Sequence, residues 1–243
     1  MIPPVAHSPA GFDTLFLNRS VWRGGAPVPN FAALNSPRGV PTGFAALDLE
    51  LPGGGWPVDG LAEIFCAEQG IGELQLLAPA LAALSQAGKR IVWIAPPYRP
   101  YAPALTGAGI DPASLVVVQA ASRGEALWAA EQSLRGGACA ALLVWLRGTR
   151  YAELRRLALA AQSGNASCFL YRPEQEASES SPACLRLKLA SQAGNLVLRI
   201  LKRRGAPAVS PMTVPIKRPV HVVGGAASSQ TCARSAVARP CLA

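Results

Sequence analysis

The residues with the most to say about chemistry are Cys66 to Glu73 (CAEQGIGE). Before them, Leu61–Cys66 (LAEIFC) reads as a buried strand. After them, Leu74–Ala87 (LQLLAPALAALSQA) reads as an apolar helix. A strand, a glycine-containing loop and a helix together form the setting of a phosphate cradle, whose pattern is GxxxxGK[ST]. On that pattern Cys66 takes the first glycine, Ile71 the second, Gly72 the lysine and Glu73 the Ser/Thr. The lysine that would neutralise the β- and γ-phosphates is missing, and a carboxylate stands where a hydroxyl would hold Mg²⁺. At a helix N-terminus Glu73 satisfies the positive end of the dipole and repels a phosphate there. Gly70 and Gly72 leave two readings open, a backbone nest for an anion or a plain turn.

Other catalytic constellations are thin. Ser85, Ser122 and Ser133 have no histidine near them in sequence, and His7 and His221 sit toward the chain ends, which argues against a Ser-His-Asp site. The six cysteines (Cys66, Cys139, Cys168, Cys184, Cys232, Cys241) form no CxxC pair, so no zinc set is expected and no metal or cofactor is assigned. Cys66, Cys139 and Cys168 fall in apolar runs and read as small core residues. The start, Met1-Ile2-Pro3-Pro4, lacks a signal-peptide pattern, and no run of about 18 apolar residues would span a bilayer. The expected compartment is the cytoplasm.

The elements that must position the loop follow from apolar patterning. Strands are expected at Leu61–Cys66, Arg90–Ala95, Leu115–Gln119, Ala140–Leu146 and Ser167–Tyr171. Helices are expected at Phe44–Leu49, Leu74–Ala87, Pro100–Gly107, Gly124–Arg135 and Tyr151–Gln162. Continuous apolar strands imply burial on both faces, the mark of a doubly wound, mainly parallel α/β sheet. From Cys184 the period changes to two, and Ala193-Gly194-Asn195 turns the chain into Leu196–Lys202, an antiparallel C-terminal hairpin. Residues 1–40 read as an N-terminal arm with one short helix around Phe12–Asn18, 41–205 as the domain, and 206–243 as a flexible, disordered Pro/Gly/Ala-rich tail. Trp56, between Gly55 and Pro57, either seals the core or offers an aromatic anchor.

Charge is uneven. Residues 1–179 carry thirteen Lys/Arg against fourteen Asp/Glu, whereas 180–243 carry ten Lys/Arg and no acid. The basic end suits an anionic partner or a solvated tail. Lys202, Arg203 and Arg204 close a strand with no acid nearby and are the candidate partner or phosphate contact. Arg147, Arg150, Arg155 and Arg156 follow the Ala140–Leu146 strand and, with Glu153 at i−3 from Arg156, read as a solvated helix face.

Val40–Leu146 resembles the RecA core in its order of features: V-P-T-G, L-P-G-G-G-W, E-I-F, loop, helix, then Lys89–Ile94. Val21-Trp22-Arg23-Gly24, Thr42–Pro57 and Leu201–Gly205 (LKRRG) make it similar to the ImuA proteins of that superfamily. The resemblance implies a RecA-like α/β fold and a place in the SOS response to DNA damage. The implied work is non-catalytic: an adaptor in mutagenic translesion synthesis that binds an ImuB-type polymerase relative, an error-prone DnaE-type polymerase and RecA, with DNA contact through the basic end. It also implies a catalytic glutamate at the position of Pro97 and a metal-binding aspartate at that of Trp145, both lost here. With Gly72 and Glu73 these losses remove ATP hydrolysis by the RecA mechanism. By the same resemblance Arg147, Arg150, Arg155 and Arg156 take a second reading, as a remnant of the RecA DNA-facing surface. Two alternatives stand beside this reading: a SulA-like cell-division inhibitor, and a nucleic-acid-binding module acting through the tail.

Overall fold

The computed structural model describes residues 39–205 and 210–215. The expected helix at Phe12–Asn18, the N-terminal arm and most of the C-terminal tail lie outside the described residues. Eight strands form one sheet: β1 Gly60–Cys66, β2 Ile91–Ile94, β3 Leu115–Val118, β4 Ala141–Trp145, β5 Ser167–Pro173, β6 Leu185–Gln192, β7 Asn195–Lys202 and β8 Met212–Val214. The helices are α1 Ala45–Glu50, α2 Glu73–Gln86, α3 Ala102–Gly107, α4 Arg123–Arg135 and α5 Tyr151–Gly164. The sheet order is β3-β2-β4-β5-β1-β6-β7-β8.

The apolar runs are continuous because both faces are covered. In β4, Ala141 and Leu143 join the cluster that holds Leu76, Leu77 and Leu81 of α2. Leu142 and Val144 join the opposite cluster, with Ala130 and Leu134 of α4 and Leu154 and Leu157 of α5. Trp56 belongs to the first cluster, with its ring edge-on to Phe169 at 5.5 Å, so it seals the core. Gly43, at φ 85°, lets the chain before α1 lie against α2, where a Cβ would come within 2.5 Å of Pro79.

The expected RecA-like doubly wound sheet is corrected by this topology. The sheet is mixed: β3-β2-β4-β5-β1-β6 pair in parallel, while β6-β7 and β7-β8 pair antiparallel. Strand–helix alternation stops at β5. The crossover from β5 to β6 carries only a 3₁₀ turn, Glu174–Ser178, and two of the five helices among the described residues are six residues long. The sheet also runs on past Gly205: β8 pairs with Leu196–Leu198 and buries Val214, adding an edge strand within the expected tail. The run Leu115–Val118, expected to be buried on both faces, is instead the free edge, with Val116 and Val117 exposed.

Candidate functional site

The C-terminal ends of β1, β2, β4 and β5 surround a cavity of about 540 Å³ lined by Cys66, Glu73, Pro97, Trp145 and Tyr171 among others. The structure thus brings together four positions singled out in the sequence, and Gly72 stands beside them as the N-cap of α2. Gly70 at φ 80° and Gly72 at φ 101° turn the N–H groups on either side of Ile71 inward. Both donate to the Glu73 carboxylate, at 3.1 and 3.2 Å. Of the two readings left open, the nest is the one that forms. Its anion is the chain's own side chain, and Glu73 is buried.

The far wall is aromatic. Trp145 stacks on Tyr171 with centroids 4.9 Å apart and planes 9° from parallel, and it meets Trp93 edge-on at 5.8 Å. The Tyr171 hydroxyl donates to the Glu73 carbonyl at 3.3 Å, which ties β5 to the first turn of α2. Burial holds that phenol well above its ordinary pKa, so it stays a donor. Cys66, at the loop's first position, is pushed up to about 12 by burial, with Glu73 and Glu174 adding to the shift. It is a protonated thiol at neutral pH, not a nucleophile.

Through Arg172, which also lines the cavity, the site joins an ion network that sequence reasoning missed. The side chains of Glu63 and Arg172 are wholly buried and bonded at 2.6 Å, and Glu63 also accepts from Arg186 at 2.7 Å. Arg172 further holds Glu176 at 2.7 Å and Glu179 at 2.5 Å, and donates to the Thr149 carbonyl. Burial alone would lower the Arg172 pKa; the carboxylates of Glu63, Glu179 and Glu176 outweigh it and hold the pKa above the ordinary value. Glu176 also accepts from the Gly148 N–H at 2.8 Å, so the network fixes the loop after β4 against the turn after β5. The signal was present in the sequence, as single charges inside apolar strands: Glu63 in LAEIFC and Arg186 among leucines. Such charges need a buried partner.

Lys202, Arg203 and Arg204 do not line this cavity. The Lys202 ammonium donates to the Ser181 carbonyl at 2.8 Å, and Arg203 binds the Glu50 carboxylate at 2.6 Å and its carbonyl, which anchors the end of β7 to α1. Glu153, expected beside Arg156, instead pairs with Arg123 and accepts from the Arg150 N–H, while Arg156 pairs with Glu131. Among the described residues no three His, Cys, Asp or Glu side chains group to hold a metal, and no helix is long and apolar enough to cross a membrane.

Comparison with known proteins corrects the ImuA resemblance. A family model described as "Cell division inhibitor SulA" matches residues 60–168, from β1 into β5. A cell division inhibitor SulA of Edwardsiella piscicida is 33% identical over 116 residues, covering 46% of this chain and 69% of that protein. Its counterpart in Serratia marcescens is 27% identical over 131 residues, covering 54% and 78%. Among solved structures, SulA from Pseudomonas aeruginosa matches with 30% identity and a TM-score of 0.40, covering 46% of this chain and 97% of that one. The segments that carried the ImuA likeness, Val21–Gly24, Thr42–Pro57 and Leu201–Gly205, all lie outside residues 60–168. In sequence they are short stretches rich in glycine and proline and a basic end, patterns that many families share. The expected translesion role and the partners ImuB, DnaE-type polymerase and RecA are withdrawn with that likeness. The chain belongs to the SulA family, described as cell division inhibitors.

Proposed function

We propose that this chain inhibits cell division by binding the division GTPase FtsZ in the cytoplasm, and that it acts by contact rather than by catalysis. Membership of the SulA family carries this reading. The nest filled by Glu73 supports its non-catalytic half. A phosphate entering the loop would have to displace a carboxylate that cannot leave, with no lysine to offset the charge. Pro97 and Trp145 offer neither a base nor a metal ligand where a RecA-type mechanism needs them. Lys202 and Arg204, both exposed, are candidate contacts for an acidic surface, with Arg203 setting the end of β7.

The direct test is FtsZ assembly with GTP, followed by sedimentation and GTP turnover, with the full chain added from substoichiometric to excess. The expected result is a dose-dependent loss of both polymer and turnover, with no ATP hydrolysis by the chain itself. Undiminished assembly at molar excess would overturn the reading.

A further inference from the structure

Although Glu73 closes the nest, the cavity beside it stays large. Its volume, about 540 Å³, falls in the range that holds small ligands, roughly 300–1,000 Å³. Two features of its walls point to one class of ligand. The first is aromatic. Trp145 is half-buried and stacked on Tyr171 along the wall, and Tyr98 lines the cavity with 70% of its surface exposed. Rings placed in this way attract cations and give alkyl chains a surface to lie on.

The second feature is charge, and its sign is opposite to that of the whole chain, which carries a formal net charge of +9. Arg172 lines the cavity, but its network sets Arg172, Arg186 and Lys188 against Glu63, Glu174, Glu176 and Glu179, leaving one carboxylate in excess. The lining adds two more carboxylates, Glu68 and Glu73, and one cation, Arg147, so the balance is two negative charges. The Cys66 thiol registers that field: after burial, it is Glu73 and Glu174 that raise its pKa. Nor is Glu73 exhausted as an acceptor. It takes the N–H groups of Gly70 and Gly72, whereas a carboxylate offers about four acceptor sites.

We propose that this cavity binds a linear aliphatic diamine or polyamine, with its alkyl stem against Trp145 and an ammonium group at each of Glu68 and Glu73. Glu73 is buried and Glu68 is exposed on the loop, so the two carboxylates suit charges carried at the two ends of one chain. Each alternative leaves a feature unanswered. A phosphate or carboxylate meets the wrong sign of field. Among the described residues no three His, Cys, Asp or Glu side chains group to hold a metal ion. A neutral ring would use the aromatic wall and leave both carboxylates without a counter-charge. A monoamine would answer only one of them. The assignment is separate from the inhibitor reading, and neither needs the other.

The experiment is calorimetric titration of the full chain with 1,4-diaminobutane, with 1,4-butanediol and pyrophosphate as neutral and anionic counterparts. It is run on wild type, Glu68→Gln, Arg147→Ala, Trp145→Leu and, at the opposite end of β1, Asp59→Asn. Glu68 and Arg147 are exposed, so their variants keep the fold, and urea midpoints check all four. The diamine should bind saturably and its two counterparts should not. Affinity should fall about three- to fivefold in Glu68→Gln and about tenfold in Trp145→Leu, rise in Arg147→Ala, and stay unchanged in Asp59→Asn. No saturable diamine binding at millimolar concentration, equal binding of the diol, tighter binding of pyrophosphate, or wild-type affinity in Glu68→Gln would each overturn the proposal. Equal weakening in Asp59→Asn and Glu68→Gln would mark diffuse attraction to surface carboxylates and overturn it as well.

Discussion

Replacing Glu63 with Ala should be among the most damaging single changes in this chain. The Glu63 side chain is wholly buried and accepts from both Arg172 and Arg186. Arg172 keeps Glu176 and Glu179 when Glu63 is lost, but Arg186, which packs its guanidinium 4.9 Å from the Phe65 ring centroid, loses its one carboxylate partner. Two charge-assisted hydrogen bonds at roughly 1.5–3 kcal/mol each disappear. Removing one member of a buried ion set costs about 3–5 kcal/mol. Both routes give a loss near 4 kcal/mol, a large share of the roughly 5–15 kcal/mol that holds a domain folded. With a urea slope of about 2 kcal/mol/M, the midpoint should fall by about 2 M. Tryptophan fluorescence is a suitable reporter, because Trp56 and Trp93 are buried. The companion change Glu63→Met with Arg186→Met should recover part of the loss, since apolar replacements remove the need for a partner. A midpoint shift under about 0.5 M in Glu63→Ala, or no recovery in the double variant, would refute the reasoning.

Three further outcomes are expected. Gly164→Ala should destabilise the fold by about 2–3 kcal/mol in the same urea assay, because its Cβ meets the Leu134 backbone and α4 and α5 must separate. Glu73→Ala should leave Gly70 and Gly72 N–H groups without their acceptor and cost about 1–2 kcal/mol, while ATP hydrolysis stays at background in a coupled assay. As for pH, half-buried Cys66 and buried Cys139 keep their protons in the fold to about 12 and about 11, whereas in the unfolded chain they ionise near 9. Above pH 9 the unfolded state therefore binds fewer protons and stability falls with rising pH. The fall between pH 9 and 11 should be shallower in Cys139→Ala, and identical slopes would contradict the assignment.

Much of the local structure was legible because strand and helix periods are written in single side chains. Strands β1, β2 and β4 and helices α2, α4 and α5 lie within a residue or two of the apolar runs that announced them. What the patterning could not carry was global. LVVV reads the same whether it lies mid-sheet or at an edge, so β3 looked buried. The short strand β8 carries too few residues for a period and exists because Leu196 and Leu198 need a neighbour. At the site, the missing lysine and hydroxyl were plain in the residue types. That Glu73 folds back into the nest was not, because it depends on two left-handed glycines at Gly70 and Gly72. The function was misdirected by short glycine- and proline-rich stretches and a basic end that lie outside the segment that matches the family.

The carboxylate held in the nest has a consequence for how the protein is set in time. A loop that needs a nucleotide to order itself works as a gauge of cellular energy, changing shape as triphosphate becomes diphosphate. Here the same loop is complete as soon as the chain folds, with its anion covalently attached. On the proposed non-catalytic function, it needs no loaded and spent states and no hydrolysis clock. On that proposed function the protein would reach its working form on folding, and the strength of its effect would be a matter of dose, set by the number of copies present against the number of targets.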